Sequence, residues 1–333
     1  MRRPEAYRLL AGWLKAARDI ALVCHVSPDG DTLGSALALK LALDKLGKRA
    51  VIICQDETPA LYSQLPGIDA IITPGAYHNT PDIAVFLDIS TIDRAGEARA
   101  LLTRAGQSAC VDHHIGTEQF AGLTLADPGE AATGVMIYRL IRLLGISPDY
   151  DIALCLYTAV ATDTGNFSFA NTNARALKLA ASCLSMGVPV AELTMRYFTE
   201  RSRAAITLLG GALSGIEYHL EGAIAVMRLS ESDFLAAGAT RDDEEGFVNI
   251  ALAIKGVEVA VYLRARGDEV KCSLRSRDRA ASGINGAAVD VAEIARELGG
   301  GGHRLAAGAT LKMSMERAQH CVLMLLRSQM RDK

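Results

Sequence analysis

The sequence predicts an α/β fold with two domains: a first domain with a mostly parallel sheet flanked by helices, and a smaller α/β domain after it. Three observations support this prediction. The chain has 333 residues, which is long for a single domain. Its hydrophobic content is 50%, which is enough to build buried cores. Along the first half, short apolar runs alternate with helical patterns, which is typical of parallel strands joined by crossover helices.

Three apolar runs of the first domain are interpreted as buried strands, and a polar residue directly follows each of them. The runs are residues 20–24, 83–87 and 108–111, followed by His25, Asp88 and Asp112. In parallel sheets of this kind, ligands bind outside the carboxyl ends of the strands. We therefore expect these polar residues to meet at one edge of the sheet.

The remaining elements are predicted from periodicity, helix formers and turn residues. In the first domain we expect a strand at 50–54, a helix with Arg94 near its start, and helices at 7–18, 33–46, 131–144, 152–162, 174–186 and 189–197. Asp31 or Thr32 is expected to cap the helix at 33–46. In the second domain we expect strands at 223–229, 257–264, 270–275 and 306–311, and helices at 242–254, 289–298 and from 314 onward. Because charged residues cluster near 199–204, we place the first domain at 1–190, a helical linker at 191–214 and the second domain at 215–333.

The composition excludes several classes of partner. The net charge of −3, from 35 basic and 38 acidic residues, argues against long nucleic acid, because proteins that bind it usually present a basic surface. A phosphate-ester substrate should therefore be short. The seven cysteines form no C-x-x-C pair, which indicates reduced thiols of a cytoplasmic protein. No apolar run approaches the roughly 20 residues of a membrane helix, so no membrane association is expected. The oligomeric state stays open, with a homodimer among the alternatives.

Histidines and aspartates cluster in four segments of the first domain, and each residue alone has an ordinary structural explanation. Asp31 is suited to cap a helix and Asp29 to form a turn, while an isolated histidine usually lies satisfied in a loop. Together, the segments would bring two imidazoles and several carboxylates into one cleft, where their negative charges repel strongly. Divalent cations such as Mn²⁺ remove that repulsion and accept mixed histidine and carboxylate ligands. A carboxylate that bridges two metals, about 3.5–4 Å apart, suits hydrolysis of a phosphate ester by an activated bridging water, although spacing alone does not say which residue bridges.

Four motifs carry a resemblance to the DHH-family phosphoesterases. They are HVSPDGDTLGS at 25–35, FLD at 86–88, VDHH at 111–114 and TDTG at 162–165. All four are complete and stand in the family order, and the resemblance covers roughly residues 15–190. It implies a metal-dependent phosphoesterase.

The resemblance also implies a role for each residue of the cluster. One Mn²⁺ would be held by His25, Asp29 and Asp88, and a second by Asp31, Asp88, His113 and Asp163. Asp88 would then bridge the two ions and be central to catalysis. His114 would contact the phosphate of the substrate, and Asp112 would orient the site without binding a metal.

The second domain contains a run of glycines before His303 and an arginine at a predicted strand end. A glycine-rich turn can offer backbone N–H groups to an anion, and Arg275 is suited to bidentate phosphate contact. The ordinary alternatives are a flexible loop and a surface salt bridge. The pieces SLRS at 273–276, GGGH at 300–303 and AAG at 306–308 resemble the DHH-associated C-terminal domain. That resemblance implies a cleft between the two domains, with the substrate bound opposite the metals by Arg275, Ser276, Gly300, Gly301, Gly302 and His303.

Within the family, the chain resembles the nanoRNase/pAp-phosphatase group. This implies hydrolysis of very short oligoribonucleotides to 5′-mononucleotides and dephosphorylation of 3′-phosphoadenosine 5′-phosphate (pAp). Cleavage of a cyclic dinucleotide or of its linear product is the close alternative. An exopolyphosphatase is expected to have a more basic channel. A non-catalytic nucleotide-binding sensor is expected to have a degenerate motif, and all four motifs are complete here.

Overall fold

The computed structural model describes residues 2–278 and 288–331, which form two compact units, Met1–Glu200 and Arg201–Lys333. Each unit has its own sheet and its own hydrophobic cores. Both units combine helices with strands, so the predicted α/β class with two domains is confirmed. Within the described ranges, no helix has both the length and the apolar character needed to cross a membrane.

The first unit is built around a sheet of five strands. The strands are β1 (Asp19–Val23), β2 (Arg49–Ile53), β3 (Ile83–Leu87), β4 (Gln107–Asp112) and β5 (Leu123–Ala126). The helices are α1 (Arg3–Ala16), α2 (Gly30–Lys45), α3 (Leu101–Arg104), α4 (Thr133–Leu144), α5 (Tyr150–Asp163), α6 (Ala174–Ser185) and α7 (Val190–Thr194). Short 3-10 helices lie at Ala60–Tyr62, Ile68–Ala70, Pro74–Ala76 and Ile92–Ala100, and a π-helical turn lies at Met195–Thr199.

All five strands run parallel, in the spatial order β2-β1-β3-β4-β5. Successive residues of a strand point to opposite faces, and both faces of this sheet are buried. Val85 and Leu87 of β3 pack into the core that contains α1, α2, α4 and α5, whereas Ala84 and Phe86 pack into the core on the other face. Burial on both faces explains why these strands have continuous apolar sequences.

Strands β1, β3 and β4 are neighbours, so their carboxyl ends meet at one edge of the sheet. Val23 pairs with Phe86 and Leu87 pairs with Val111, which sets the register at that edge. The sheet therefore brings the ends of these three strands together, as the sequence predicts.

Close packing of α2 against α5 depends on Gly34. A β-carbon at this position would lie 2.4 Å from the carbonyl oxygen of Cys155, which belongs to the backbone of α5. Because this backbone cannot yield without moving the helix, Gly34→Ala is expected to destabilise the protein by about 1–3 kcal/mol. Gly12→Ala is the matched control, because nothing lies within 4 Å of that β-carbon and alanine favours a helix. Urea unfolding compares the two variants, and coinciding midpoints would contradict the prediction.

The second unit contains a mixed sheet of six strands. The strands are β6 (Glu217–His219), β7 (Ile224–Leu229), β8 (Val259–Arg266), β9 (Glu269–Ser276), β10 (Gly301–His303) and β11 (Ala306–Leu311), in the spatial order β10-β11-β9-β8-β7-β6. Within this sheet β7 and β8 pair in parallel, and the other described pairs are antiparallel. The helices are α8 (Arg203–Ser214), α9 (Glu231–Ala237), α10 (Phe247–Leu252), α11 (Val291–Glu297) and α12 (Met315–Arg331). One face of the sheet packs on α11 and α12, and the other packs on α8 and α10.

Two predicted helices are wrong in extent because a glycine interrupts each of them. The helix predicted at 242–254 is a 3-10 helix, Asp242–Glu244, followed by α10, with Gly246 at φ 79° between them. The helix predicted after the third strand is the 3-10 segment Ile92–Ala100, which Gly96 kinks at φ 55°, followed by the short α3. Both backbone conformations are left-handed, which glycine adopts readily and a regular helix cannot include.

Smaller differences occur in short elements. The segment predicted as one helix at 189–197 is α7 followed by the π-helical turn. Strand β5 and helix α9 are absent from the prediction. They span four and seven residues, and such short elements carry little periodic signal.

Candidate metal centre

The loop between β1 and α2 carries the first candidate ligands. Asp29 is the N-cap of α2, and its carboxylate accepts hydrogen bonds from the N–H groups of Asp31 (3.0 Å) and Thr32 (3.1 Å). The expectation that Asp31 or Thr32 caps this helix is therefore wrong. Because Asp29 satisfies the first free N–H groups of the helix, the Asp31 carboxylate is available for other contacts.

His25, Asp29 and Asp88 form one group of candidate ligands. Nε2 of His25 lies 3.5 Å from Oδ1 of Asp29 and 3.5 Å from Oδ2 of Asp88. Nδ1 of His25 lies 2.8 Å from the carbonyl oxygen of Val26, to which it can donate. Nη2 of Arg94, which can only donate, also lies 2.9 Å from this Nδ1. When Nδ1 donates to Val26, the Nε2 lone pair faces the two carboxylates, as a metal ligand requires.

Asp31, His113 and Asp163 form a second group. Nε2 of His113 lies 3.8 Å from Oδ2 of Asp31 and 3.5 Å from Oδ2 of Asp163. This nitrogen is buried, and no hydrogen-bond partner for it lies within the described part of the chain. A buried nitrogen that faces carboxylate oxygens at these distances is satisfied when a cation lies among them. These residues therefore fit a divalent metal ion.

Asp88 faces both groups. Its Oδ2 lies toward His25, and its Oδ1 lies 3.6 Å from Nε2 of His113. The residue is 2% exposed, and the hydroxyl of Thr133 donates to Oδ1 at 3.0 Å. Its backbone has a φ of 61°, which is sparsely populated by residues with a side chain. One carboxylate is thus directed toward both groups, which is the arrangement that a bridging ligand requires.

The electrostatics of the centre favour cations. Burial raises the pKa of Asp31 well above its usual range, and the carboxylates of Asp88 and Asp163 raise it further. Burial also raises the pKa of Asp163 to about 6, although His113 opposes this shift. For His25, burial lowers the pKa, but hydrogen bonds to two carboxylates outweigh it and raise the pKa to about 9. Negative charge is therefore crowded at this site, and bound cations would relieve it.

His114 and Asp112 form a pair beside these groups. Nδ1 of His114 lies 2.7 Å from Oδ1 of Asp112, and the hydroxyl of Thr117 donates to the other oxygen of that carboxylate. The hydrogen bond to Asp112 raises the pKa of His114, and the buried carboxylate fixes the orientation of this ring. Ligand atoms of Asp88, His113 and His114 also lie within 4.8 Å of one another. The roles of His114 as a substrate contact and of Asp112 as its support stay predictions.

Three residues outside the four sequence motifs hold the carboxylates in place. The N–H groups of Thr133 and Gly134 donate to the two oxygens of Asp31, at 2.6 and 2.9 Å. The side-chain amide of Asn171 donates to the carboxylate of Asp163 at 3.1 Å. Thr133 begins α4, so the positive end of that helix lies at Asp31. In the sequence, the free N–H groups expected at the start of a predicted helix are the only indication of the contacts to Asp31. No spacing in the sequence predicts the contact between Asn171 and Asp163.

The candidate substrate-binding residues of the second unit gather on neighbouring strands. Arg275 of β9 pairs with Ala306 of β11, which pairs with His303 of β10. Paired residues point to the same face, so Arg275 and His303 flank a small side chain, with their strands about 10 Å apart. Lys271, Ser273 and Arg275 lie along this face of β9 and line a cavity of about 310 Å³.

The glycine run is partly a strand, which corrects the prediction of a glycine-rich turn. Gly301–His303 is the edge strand β10. A β-carbon at Gly300 would lie 2.1 Å from the carbonyl oxygen of Gly308, and one at Gly302 would lie 2.5 Å from Cα of Ala307. Close pairing with β11 therefore requires glycine at both positions. Ser276, at the end of β9, is buried, and its hydroxyl has no hydrogen-bond partner among the described residues.

Comparison with known proteins identifies one known domain in each unit. The DHH family, N-terminal domain, matches residues 19–160, and the DHHA1 domain matches residues 222–327. The chain is 37% identical to the bifunctional oligoribonuclease and PAP phosphatase NrnA of Thermus thermophilus, over 98% of this chain and 95% of that protein. It is 24% identical to the protein of the same name from Bacillus subtilis, over 88% of this chain and 89% of that protein.

A solved structure shows the same architecture. The exopolyphosphatase-related protein from Bacteroides fragilis superposes with a TM-score of 0.90 at 27% identity, covering 98% of this chain and 96% of that chain. The sequence similarity to the Thermus protein and the structural similarity to the Bacteroides protein thus both extend over nearly the whole chain. The chain belongs to the DHH family of metal-dependent phosphoesterases, within its NrnA-like group.

Proposed function

We propose that this protein uses two divalent ions, most suitably Mn²⁺, to hydrolyse very short oligoribonucleotides to 5′-mononucleotides and to remove the 3′-phosphate of pAp. The names of the Thermus and Bacillus relatives describe an oligoribonuclease that is also a PAP phosphatase, which supports both activities. The observation that carries the proposal is the placement of Asp88, because its two oxygens face His25 and His113 in separate groups of candidate ligands.

The proposed ligands of the first ion are His25, Asp29 and Asp88, and those of the second ion are Asp31, Asp88, His113 and Asp163. When bound, the two ions supply Lewis acidity that activates water and offsets charge developing on the phosphate. Asp112 holds the imidazole of His114 through Nδ1 at 2.7 Å. That hydrogen bond favours the protonated ring, which keeps Nε2–H available to donate to a phosphate oxygen of the substrate.

Substrate recognition is assigned to the side of the second sheet formed by β9, β11 and β10. The proposed contacts are Arg275, Ser276, Gly300, Gly301, Gly302 and His303. Arg275 and His303 lie on the same face, separated by Ala306, so a guanidinium and an imidazole can contact one small anion. With a net charge of −3 the chain suits a substrate with few phosphates better than a long polyanion.

Arg275→Ala is expected to raise KM for pAp about 10- to 100-fold while changing kcat much less. The guanidinium is proposed to bind the terminal phosphate in the ground state and the transition state alike, and hydrogen bonds to charged groups have strengths in this range. Steady-state kinetics provide the measurement. Arg296→Ala, which removes an exposed arginine of α11, is the matched control. An unchanged KM in the Arg275 variant would refute the assignment.

One substrate panel separates the proposed function from its alternatives. Mn²⁺-loaded protein is assayed with a diribonucleotide, pAp, a cyclic dinucleotide, pyrophosphate and polyphosphate, and kcat/KM is compared across them. The proposal predicts the highest values for the diribonucleotide and pAp. A preference for the cyclic dinucleotide or for polyphosphate would replace it with the corresponding phosphodiesterase or exopolyphosphatase. Binding without turnover of any substrate would indicate a nucleotide sensor.

A further inference from the structure

Phe169 is an exposed aromatic residue in the loop that follows α5, close in sequence to the candidate ligand Asp163. It is 55% exposed, and it belongs to none of the hydrophobic cores formed by the described residues. Phe167, two residues earlier, instead packs against the core of the first unit beside Tyr157. The sequence Phe-Ser-Phe thus places one ring against the core and the other at the surface.

Hydrogen bonds tie the loop around Phe169 back to the candidate metal centre. The N–H of Phe169 donates to the carbonyl oxygen of Thr164 at 3.0 Å. Two residues later, the side-chain amide of Asn171 donates to the carbonyl and carboxylate oxygens of Asp163, both at 3.1 Å. Phe169 is therefore held close to Asp163 by its own backbone N–H and by the side chain of Asn171.

The ring itself is fixed by packing on Gly165. A β-carbon at this glycine would lie 2.4 Å from Cε1 and Cζ of Phe169 and 2.6 Å from Cε2. Only a residue without a side chain allows the ring to approach the backbone so closely. The ring is thus supported on one side by the loop of Asp163, while more than half of the residue stays exposed. A ring ordered in advance loses little conformational entropy when a flat ligand binds to it.

We propose that Phe169 is the platform on which a nucleobase of the substrate stacks while the phosphate of that nucleotide lies at the candidate metal centre. This inference rests on the proposed function and adds a base contact to it. The candidate ligands are carboxylates and imidazoles that would hold the phosphate through metals, so the base of that nucleotide would need a contact outside this group. Stacking on an aromatic ring accepts every base, since each base has a π face, which suits hydrolysis of short fragments of any sequence.

The test compares Phe169 variants on substrates that lack one base. The substrates are the diribonucleotide pApA and two analogues in which the first or the second base is replaced by hydrogen. Phe169→Leu removes the aromatic ring but keeps an apolar side chain, and Phe169→Trp keeps a stacking surface. Leu184→Ala is the matched control, because it shortens another exposed apolar side chain of the same unit, 58% exposed. Thermal unfolding of each variant identifies any loss of folding.

Phe169→Leu is expected to lower kcat/KM for pApA by about 5- to 100-fold, the range that loss of one stacking contact produces. The same variant should lower kcat/KM for one abasic analogue by a similar factor and leave the other unchanged, because that analogue lacks the stacked base. Phe169→Trp and Leu184→Ala should retain the wild-type value. Equal losses on all three substrates, or no loss on pApA, would overturn the inference.

A binding measurement keeps this test separate from that of the proposed function. Calorimetry compares adenosine 5′-monophosphate with ribose 5-phosphate, each titrated into Mn²⁺-loaded protein. The inference predicts that the wild type prefers the nucleotide and that Phe169→Leu loses most of that preference. If the wild type hydrolyses neither pApA nor pAp, the proposed function fails, and a base preference that depends on Phe169 still supports the stacking site. Equal preference in wild type and variant would refute the site regardless of turnover.

Discussion

Asp88→Ala should lower kcat/KM for pAp by at least ~10³-fold, to the limit of detection. Among the residues that the structure describes, Asp88 is the one side chain whose two oxygens face both groups of candidate ligands, toward His25 and toward His113. Its loss would remove a ligand from both ions at once, and with it the charge stabilisation of the transition state. Initial rates with saturating Mn²⁺ provide the measurement, since added metal rescues a variant that has only lost affinity for one ion.

Asp127→Asn is a matched control for this substitution. Asp127 directly follows β5, its N–H donates to the carbonyl oxygen of Asp112 at the same sheet edge, and it is 7% exposed. Its carboxylate, however, contacts Arg3 at 2.8 Å and belongs to no group of candidate metal ligands among the described residues. Activity should stay within about three-fold of wild type, because the chemistry does not use this carboxylate. An Asp88→Ala variant as active as Asp127→Asn would refute the two-ion assignment.

Removal of the metal should abolish hydrolysis completely and destabilise the first unit. Asp31 and Asp88 are 1% and 2% exposed, and Nε2 of His113 is buried without a hydrogen-bond partner among the described residues. Bound ions would satisfy these groups, so Mn²⁺ at 100 to 1,000 times its Kd should stabilise the fold by about 3–4 kcal/mol. The measurements are turnover and thermal unfolding after dialysis against a chelator and again after Mn²⁺ is restored.

The comparison of ions gives this experiment its control. Ca²⁺ prefers more oxygen ligands at longer distances than Mn²⁺, so it should restore little of the activity that Mn²⁺ restores. Calorimetry on Asp163→Ala should show one of the two binding events weakened, since Asp163 belongs to only one group of candidate ligands. Full turnover in the presence of excess chelator would contradict the mechanism.

The sequence predicts those parts of the site that follow from sheet topology. His25 and Asp88 follow apolar runs that become neighbouring parallel strands, and the carboxyl ends of such strands meet. The contacts of Thr133 and Asn171 are not predictable in this way. They depend on where a helix begins and on how a loop folds back, which are set by packing between segments distant in the chain.

Local geometry explains the other differences between the predicted and the observed structure. Asp29 and Asp31 are both suited to cap a helix, and only the backbone at this turn decides in favour of Asp29. The run of glycines at 299–302 is compatible with a loop or with an edge strand, because glycine lacks the side-chain preference that distinguishes them. Its pairing with β11 decides the outcome.

The left-handed backbone of Asp88 implies a trade-off between stability and activity. This residue combines a φ of 61° with a carboxylate buried among other carboxylates, and glycine would relieve both sources of strain. In metal-free protein, Asp88→Gly should therefore unfold at a higher temperature than the wild type, while in Mn²⁺ the order should reverse. Thermal scans of both proteins with and without Mn²⁺ measure whether the order of the two unfolding temperatures reverses. Natural selection at this position would then favour the ion-binding state over the most stable empty one, as is common where a fold carries strain at its active site.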